Sequence, residues 1–201
     1  MPNKSIASIE SALAKLDASA KRTQVLYKRA KAPTRAPYSL DFGKRHTPKE
    51  IDAIEETFRG RAKNFSFPET YRWLLTTHGL LNFHCGRMKG FATQRIKHMV
   101  EPRGLSIYIN DDSTPSAAVK KSIARAVVFQ DQSNGYVEDF YCFLSAAQTQ
   151  SGECPVVHYY HDSVFDFSKT KPAAFLEWPD FTQHLLKVLA EMTATCDGYK
   201  P

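Results

Sequence analysis

The chain is poor in cysteine and has no long apolar run, and each shortage excludes a class of protein. Its four cysteines (Cys85, Cys142, Cys154 and Cys196) are too few and too scattered for a disulfide scaffold, and no CxxC spacing occurs. No apolar run approaches the roughly 20 residues that a membrane-spanning helix needs. Charged residues interrupt the N-terminal stretch, so no secretory signal is expected. These shortages predict a cytoplasmic protein with free thiols and no membrane contact.

Motifs for phosphate binding and nucleophilic catalysis are also missing. The glycine patterns GxGxxG and GxxxxGK[ST] and the nucleophile motif GxSxG do not occur. His158 and His161 are spaced HxxH, but a strand over 155–161 would place them on opposite faces, which separates them as metal ligands. We therefore expect no metal, no cofactor and no catalytic residues, that is, a protein that is not an enzyme. An enzyme that uses His84, His158 or His161 is the weakest alternative.

Aromatic residues and positive charge, by contrast, are present in quantity. Aromatic residues form 12% of the 201 residues and hydrophobic residues 42%, which is enough for a folded core. The net charge is +6, but residues 1–45 alone hold ten Lys/Arg and only three Asp/Glu. The sequence therefore predicts a basic N-terminal arm over 1–45.

Within this arm, a helix over 3–20 and an extended linker over 21–45 are expected. The helix is predicted because Ile6, Ile9, Leu13 and Leu16 recur at helical spacing and form an apolar seam, which we expect either to dock on the domain or to fray. Pro33 and Pro37 favour the linker. Basic residues interleaved with tyrosines can also contact a nucleic acid, so this use of 1–45 stays open.

Acidic residues collect in the C-terminal half. Residues 130–180 contain eight Asp/Glu against two lysines, which indicates either a solvated rim or a surface complementary to a basic protein. The adjacent pair Glu138-Asp139 would point to opposite faces of a strand and cannot form a catalytic dyad. The candidate partner-binding residues in this region are Glu138, Asp139, Asp162, Asp166, Glu177 and Asp180.

A pair of helices is the clearest structural signal. The sequence Thr47-Pro48-Lys49-Glu50 has the pattern of a capping box with proline in the first turn, and Gly60 is expected to end this first helix. A second helix is predicted to begin at Pro68 and to end at His78, with Gly79 as the residue after it.

Strand patterns and one more helix follow this pair. Strands are predicted over 105–109, 126–130, 136–144 and 155–161, and a short helix is predicted over 116–126. A final helix is predicted over 173–192, followed by a frayed tail over 193–201. Helices at both ends of hairpin-linked strands predict an α+β fold, with helices on one face of a mostly antiparallel sheet. The expected organisation is an arm over 1–45, a domain over 46–192 and a tail over 193–201.

A set of segments spread over 46–192 shares its pattern with a known family. These segments are Ile54-Glu55, Phe67 to Tyr71 with Leu74, His78-Gly79, Ala126 to Gln130 with Gly135, Tyr141 to Leu144, Pro155 to Tyr160 and Phe175 to Leu186. With them, the domain over 46–192 resembles the SUKH superfamily. That family is characterised by an acidic amphipathic helix, a Leu-Pro…Tyr…Leu helix start and an Asn-Gly helix end, followed by a central hairpin, a further strand and a closing helix. Here Phe67 stands in place of the leucine and His78 in place of the asparagine.

The resemblance implies a non-enzymatic protein-binding domain. Members of this family resemble immunity proteins that neutralise bacterial toxins, often nucleases, and others are similar to a fungal cell-wall synthesis regulator. It also implies an α+β fold in which the sheet face away from the helices, or its rim, is available to partners. The expected partner is thus a toxin, and the alternative is a nucleic-acid-binding or regulatory scaffold protein that uses 1–45.

Overall fold

Four helices and seven strands make up the part of the chain that the structure, a computed structural model, describes. That part comprises residues 4–30, 38–60, 65–85, 94–105, 117, 121, 124–132, 139–145, 148–149, 152–160 and 176–199. In chain order the elements are α1 (Lys4–Ala30), β1 (Tyr38–Phe42), α2 (Pro48–Arg59), α3 (Glu69–Thr77), β2 (Leu81–Cys85), β3 (Gln94–Gly104), β4 (Ala126–Asp131), β5 (Asp139–Leu144), β6 (Val156–Tyr160), β7 (Leu176–Trp178) and α4 (Phe181–Asp197).

The strands pair in the order in which they occur in the chain, and every pair is antiparallel. The long strand β3 pairs with β2 through its first half and with β4 through its second half. Antiparallel neighbours do not need a crossover helix. In chain order α1 precedes the strands, α2 and α3 stand between β1 and β2, and α4 follows β7. The predicted α+β class is confirmed.

Helix α2 begins at the predicted capping box. The Thr47 hydroxyl accepts the backbone N–H of Glu50 at 3.2 Å, and the Glu50 carboxylate accepts the N–H of Thr47 at 2.7 Å. Pro48 stands in the first turn, where a missing N–H costs nothing. The helix ends at Gly60, which has right-handed helical backbone angles.

Helix α3 ends at a glycine that the backbone requires. Gly79 has a φ of 95°, and its N–H donates to the Leu74 carbonyl at 2.9 Å. A Cβ at this position would lie 2.5 Å from the Gly43 carbonyl oxygen, inside any normal contact. The close approach lets β1 and the start of α2 pack on the end of α3, and the predicted Gly79 stop is confirmed.

The main core lies between the helices and alternate residues of the strands. Its centre is aromatic: the Phe129 and Phe143 rings stack at 4.3 Å, and Tyr71 meets Phe143 at 5.1 Å and Phe181 at 5.0 Å. All four side chains are fully buried. This packing joins α3, β4, β5 and α4.

The other face of the central strands carries a second apolar cluster. Its members alternate with those of the main core along β4 and β5, as the two-residue period of a strand requires. Both Val128 and Cys142 are fully buried. This face of β4 to β6 is therefore buried apolar surface, which differs from the open face that the resemblance implies. The described members are Leu105, Ala126, Val128, Phe140, Cys142, Leu144 and Val157.

Helix α1 is longer than the sequence indicated and packs against α4. The predicted docking of its seam is confirmed, because Ile9, Leu13 and Leu16 are buried in the main core. The predicted linker over 21–45 is wrong in two places: the helix continues to Ala30, and Tyr38–Phe42 pairs with β2 as β1. Beyond position 20, Thr23 is buried and Arg22 pairs with Asp197 of α4, so contacts across the fold support the longer helix where local propensity alone does not.

The C-terminal helix begins later and ends later than predicted. Leu176–Trp178 pairs with β6 as a strand, and Pro179 and Asp180 separate it from α4. The helix continues through the expected tail to Asp197, because Thr193 and Cys196 are buried. Of the predicted strand over 105–109, all but Leu105 lies outside the described residues, as does the Asn134-Gly135 turn. The predicted helix over 116–126 is described only in part, and its end is wrong, because 124–125 form a turn and Ala126 begins β4.

None of the described helices is long and apolar enough to cross a membrane.

Candidate functional site

Three of the six acidic candidates can be placed in the fold. Glu138, Asp162 and Asp166 lie outside the described residues. Asp139 is the first residue of β5 and pairs with Tyr160, the last residue of β6. The structure places Glu177 within β7 and Asp180 just before α4.

These three positions lie at the two ends of β6. Strand β7 pairs with Val156 and Val157 at the start of β6, whereas Asp139 is at its end. Four residues along a strand correspond to roughly 13 Å. The three described candidates are therefore separated along the sheet, with Asp139 at one end of β6 and Glu177 and Asp180 at the other.

Asp180 has a structural role that accounts for its position. Its Oδ1 accepts the backbone N–H of Gln183 at 2.8 Å, and its Oδ2 accepts the Gln183 side-chain amide at 2.8 Å. The residue is thus the N-cap of α4, where a carboxylate also interacts favourably with the helix dipole.

Around this cap the fold assembles an acidic group that the sequence did not reveal. Burial raises the pKa of the Glu153 carboxyl, and the nearby charges of Asp180 and Glu69 raise it further. Glu69 lies in the first turn of α3, whose N-terminal end meets that of α4 through a 3.1 Å hydrogen bond from Thr182 to Thr70. The three carboxylates are far apart in sequence, so no local motif could have identified them. Glu69, Glu153 and Asp180 are called the acidic cluster below.

A second polar feature lies buried between α4 and the sheet. A β-bulge in β4 sets Phe129 and Gln130 opposite the single residue Tyr141, so that Gln130 turns towards the helices. Its side-chain oxygen lies 3.3 Å from Nε2 of the fully buried His184. Buried polar groups hold a defined geometry when they bond to each other, so this contact fixes α4 on the sheet.

Aromatic rings surround this histidine. Trp178 lies 4.6 Å and Tyr141 4.9 Å from His184, measured between ring centroids. Tyr141 in turn stacks on His158 at 4.2 Å with an interplanar angle of 4°. His158 is therefore packed against an aromatic ring, while His161 lies outside the described residues. Within the described ranges, no group of three His, Cys, Asp or Glu side chains is arranged to hold a metal.

The described free cysteines, Cys142, Cys154 and Cys196, are buried. Burial raises the pKa of each thiol, and for Cys196 it does so to about 11. Because the thiolate is the reactive form, these side chains are poor nucleophiles. Cys142 lies in the predicted strand over 136–144, and its side chain is fully buried.

Helix α1 has an exposed face with both apolar and basic side chains. Val25 and Leu26 are 48% and 40% exposed. They lie in an open groove of about 390 Å³, which we call the α1 groove. Its described lining residues are Ala18, Lys21, Arg22, Val25, Leu26 and Arg29.

No family model matches the chain, and neither does a curated protein or a solved structure.

Proposed function

We propose that this chain is a protein-binding domain of the SUKH type that binds and neutralises a bacterial toxin of the nuclease class. The support is that the segments carrying the resemblance meet in space. Tyr71 from the helix-pair motif contacts Phe143 from the hairpin and Phe181 from the closing helix, with centroids 5.1 and 5.0 Å away. A shared fold requires such convergence, because the motif residues must pack in one core.

A buried carboxylate further supports the assignment of the helix pair. Glu55, named in the resemblance, accepts the N–H of Phe67 at 2.7 Å and a guanidinium N–H of Arg72 at 2.6 Å, both through Oε1. It thus joins α2 to the Phe-Pro segment and to α3. The motif residues of this stretch support the fold, and the binding surface is expected elsewhere.

The proposed binding surface is acidic, since nucleases that act on nucleic acids carry basic substrate-binding sites. The acidic cluster supports this, as it concentrates three carboxylates at the adjoining N-terminal ends of α3 and α4. Asp139, at the other end of β6, is the second proposed contact. Opposite charges at such an interface raise the association rate and fix the orientation of the partners.

The test is to search beside the gene of this chain for a nuclease-type toxin and to co-express its toxic domain with this chain. We expect the wild-type chain to restore growth and to purify as a stoichiometric complex that salt weakens. Asp139→Lys and Glu153→Gln probe the two ends of β6, and Glu10→Lys on the exposed side of α1 is the control. The variant at the contacting end should weaken binding at least tenfold, whereas the control should not.

Two results would reject parts of this proposal separately. Failure of the wild-type chain to restore growth would reject the immunity function. Full neutralisation by a chain that carries both acidic substitutions, together with Glu138→Lys and Asp162→Lys, would reject the acidic surface but keep the function.

The alternative, a nucleic-acid-binding or regulatory scaffold protein that uses 1–45, needs a different test from truncation. Ile9 and Leu16 of α1 are fully buried, so removing the segment would unfold the core. Charge-reversing substitutions at Lys28 and Arg29 should abolish salt-dependent binding to duplex DNA under this alternative.

A further inference from the structure

The α1 groove lies on the side of α1 that does not pack against the core. Its lining positions 18, 21, 22, 25, 26 and 29 follow the three- and four-residue spacing of one helix face and extend for about 17 Å. Positions buried on the inner side are Ser19, Ala20 and Thr23. The fold thus uses one side of this helix and leaves the other without contact in the described part of the chain.

The middle of the groove is aliphatic. Val25 and Leu26 are neighbours, and the short side chain of Ala18 lies two turns before them on the same face. Among the described residues, the other large hydrophobic side chain with comparable exposure is Phe42, which packs on His78. A partner that removes these two adjacent aliphatic side chains from water lowers the free energy of the complex.

The rim of the groove is basic. Lys21 and Arg22 line it but already pair with Asp17 at 2.6 Å and Asp197 at 2.7 Å. Arg29 lines its end, with Lys28 beside it, and neither has an ion-pair partner in the described ranges. An occupant therefore meets two uncompensated positive charges at one end.

This combination fits an acidic protein segment better than a nucleic acid. A phosphate backbone is bound by a row of unpaired cations. Here Lys21 and Arg22 are already paired with carboxylates, and the aliphatic pair separates them from Lys28 and Arg29. Bases stack on aromatic rings, and none of the lining side chains that the structure describes is aromatic. An amphipathic helix, in contrast, sets aliphatic side chains at i, i+3 and i+4 into such a groove and carries Asp or Glu at its edges.

We propose that the α1 groove binds an acidic amphipathic helix of a protein partner. Leu26 and Val25 hold its aliphatic side chains, and Lys28 and Arg29 meet its carboxylates. This surface is distinct from the acidic cluster and has the opposite charge, so it stands whether or not the chain neutralises a toxin.

The experiment is a selection from displayed random peptides of about 16 residues, which correspond to a helix of about 24 Å. The full-length chain is the bait, and a Leu26→Ser chain removes peptides that bind elsewhere. Leu26 and Arg29 are exposed, so substitutions there should leave the fold intact, as circular dichroism and thermal unfolding will show. We expect Leu26-dependent peptides that are enriched in Asp and Glu and carry aliphatic residues at helical spacing.

Synthesised peptides from this selection then give affinities by fluorescence anisotropy. Leu26→Ser and Arg29→Glu should each weaken binding at least tenfold, while Lys4→Glu, a reversal outside the groove, should change it less than twofold. Absence of Leu26-dependent peptides, or enrichment of basic or neutral ones, would overturn the proposal. So would duplex DNA that competes fully with the peptide, or a Leu26-dependent dimer in analytical ultracentrifugation, since either identifies a different occupant.

Discussion

Replacing Glu55 tests the view that the helix-pair stretch is a packed support. Glu55 is 5% exposed, and a single oxygen accepts both the Phe67 N–H and the Arg72 guanidinium. Alanine at 55 leaves the Phe67 N–H buried without a partner and removes the charge that Arg72 faces. A lost hydrogen bond to a charged group costs about 1.5–3 kcal/mol, and an orphaned buried donor adds to it.

We therefore expect Glu55→Ala to lower the free energy of unfolding by about 3 kcal/mol, at the lower end of values for breaking a buried pair. For a chain of this size that corresponds to a fall in Tm of roughly 6–12 °C. Glu55→Gln keeps the accepting oxygen and loses only the charge, so it should cost about 1 kcal/mol.

Asp52 supplies the matched control. It bonds to the same Arg72 at 2.7 Å, but its side chain is 60% exposed. Exposed ion pairs contribute little, so Asp52→Asn should change the free energy of unfolding by at most about 0.5 kcal/mol. Urea and thermal unfolding give these values. Equal costs for Glu55→Ala and Asp52→Asn, or a cost below about 1 kcal/mol for the former, would refute the reasoning.

Three further predictions concern a glycine, a carboxyl group and the thiols. Gly79→Ala should lower the free energy of unfolding by about 1–3 kcal/mol, because φ is positive and the added Cβ meets a backbone oxygen. Gly60→Ala, where the added Cβ meets no atom, should leave the free energy of unfolding unchanged. Carbon-detected NMR should show a pKa of about 2 for Glu50, which Lys44→Met should raise, since the Lys44 hydrogen bond is its main cause. Because folding lowers the pKa of Glu50, its ionised carboxylate stabilises the folded chain, and this contribution should be present above pH 4.5 and lost as the pH falls towards 2. In a Cys85→Ser chain the remaining thiols should react with Ellman's reagent only after unfolding, because burial raises their pKa.

Each of these predictions has an outcome that contradicts it. Equal unfolding free energies for Gly79→Ala and Gly60→Ala would mean that the close approach to the Gly43 carbonyl imposes no strain. A Glu50 titration that Lys44→Met leaves unchanged would assign the low pKa to the Thr47 cap alone. Rapid reaction of native Cys196, the least buried of the three thiols, would show that the end of α4 opens.

The sequence alone determined those features that depend on residues close together in the chain. The Thr47 capping box and the Gly79 stop were predictable because the groups that bond lie at most five positions apart. Strands β4, β5 and β6 were predictable in type from their apolar runs. The position of Cys142 inside the strand pattern of β5 also indicated that it is buried.

Features that depend on distant partners were decided by the tertiary structure. Helix α1 continues beyond position 20, where Thr23 is buried and Arg22 pairs with Asp197 of α4, more than 150 residues away in the chain. The acidic cluster exists because the N-terminal ends of α3 and α4 meet, a juxtaposition that no spacing encodes. A bulge in β4 turns Gln130 towards His184, against the strict alternation that a sequence pattern assumes. In each case a contact across the fold overrides the local preference, and such contacts become visible only when the chain is packed.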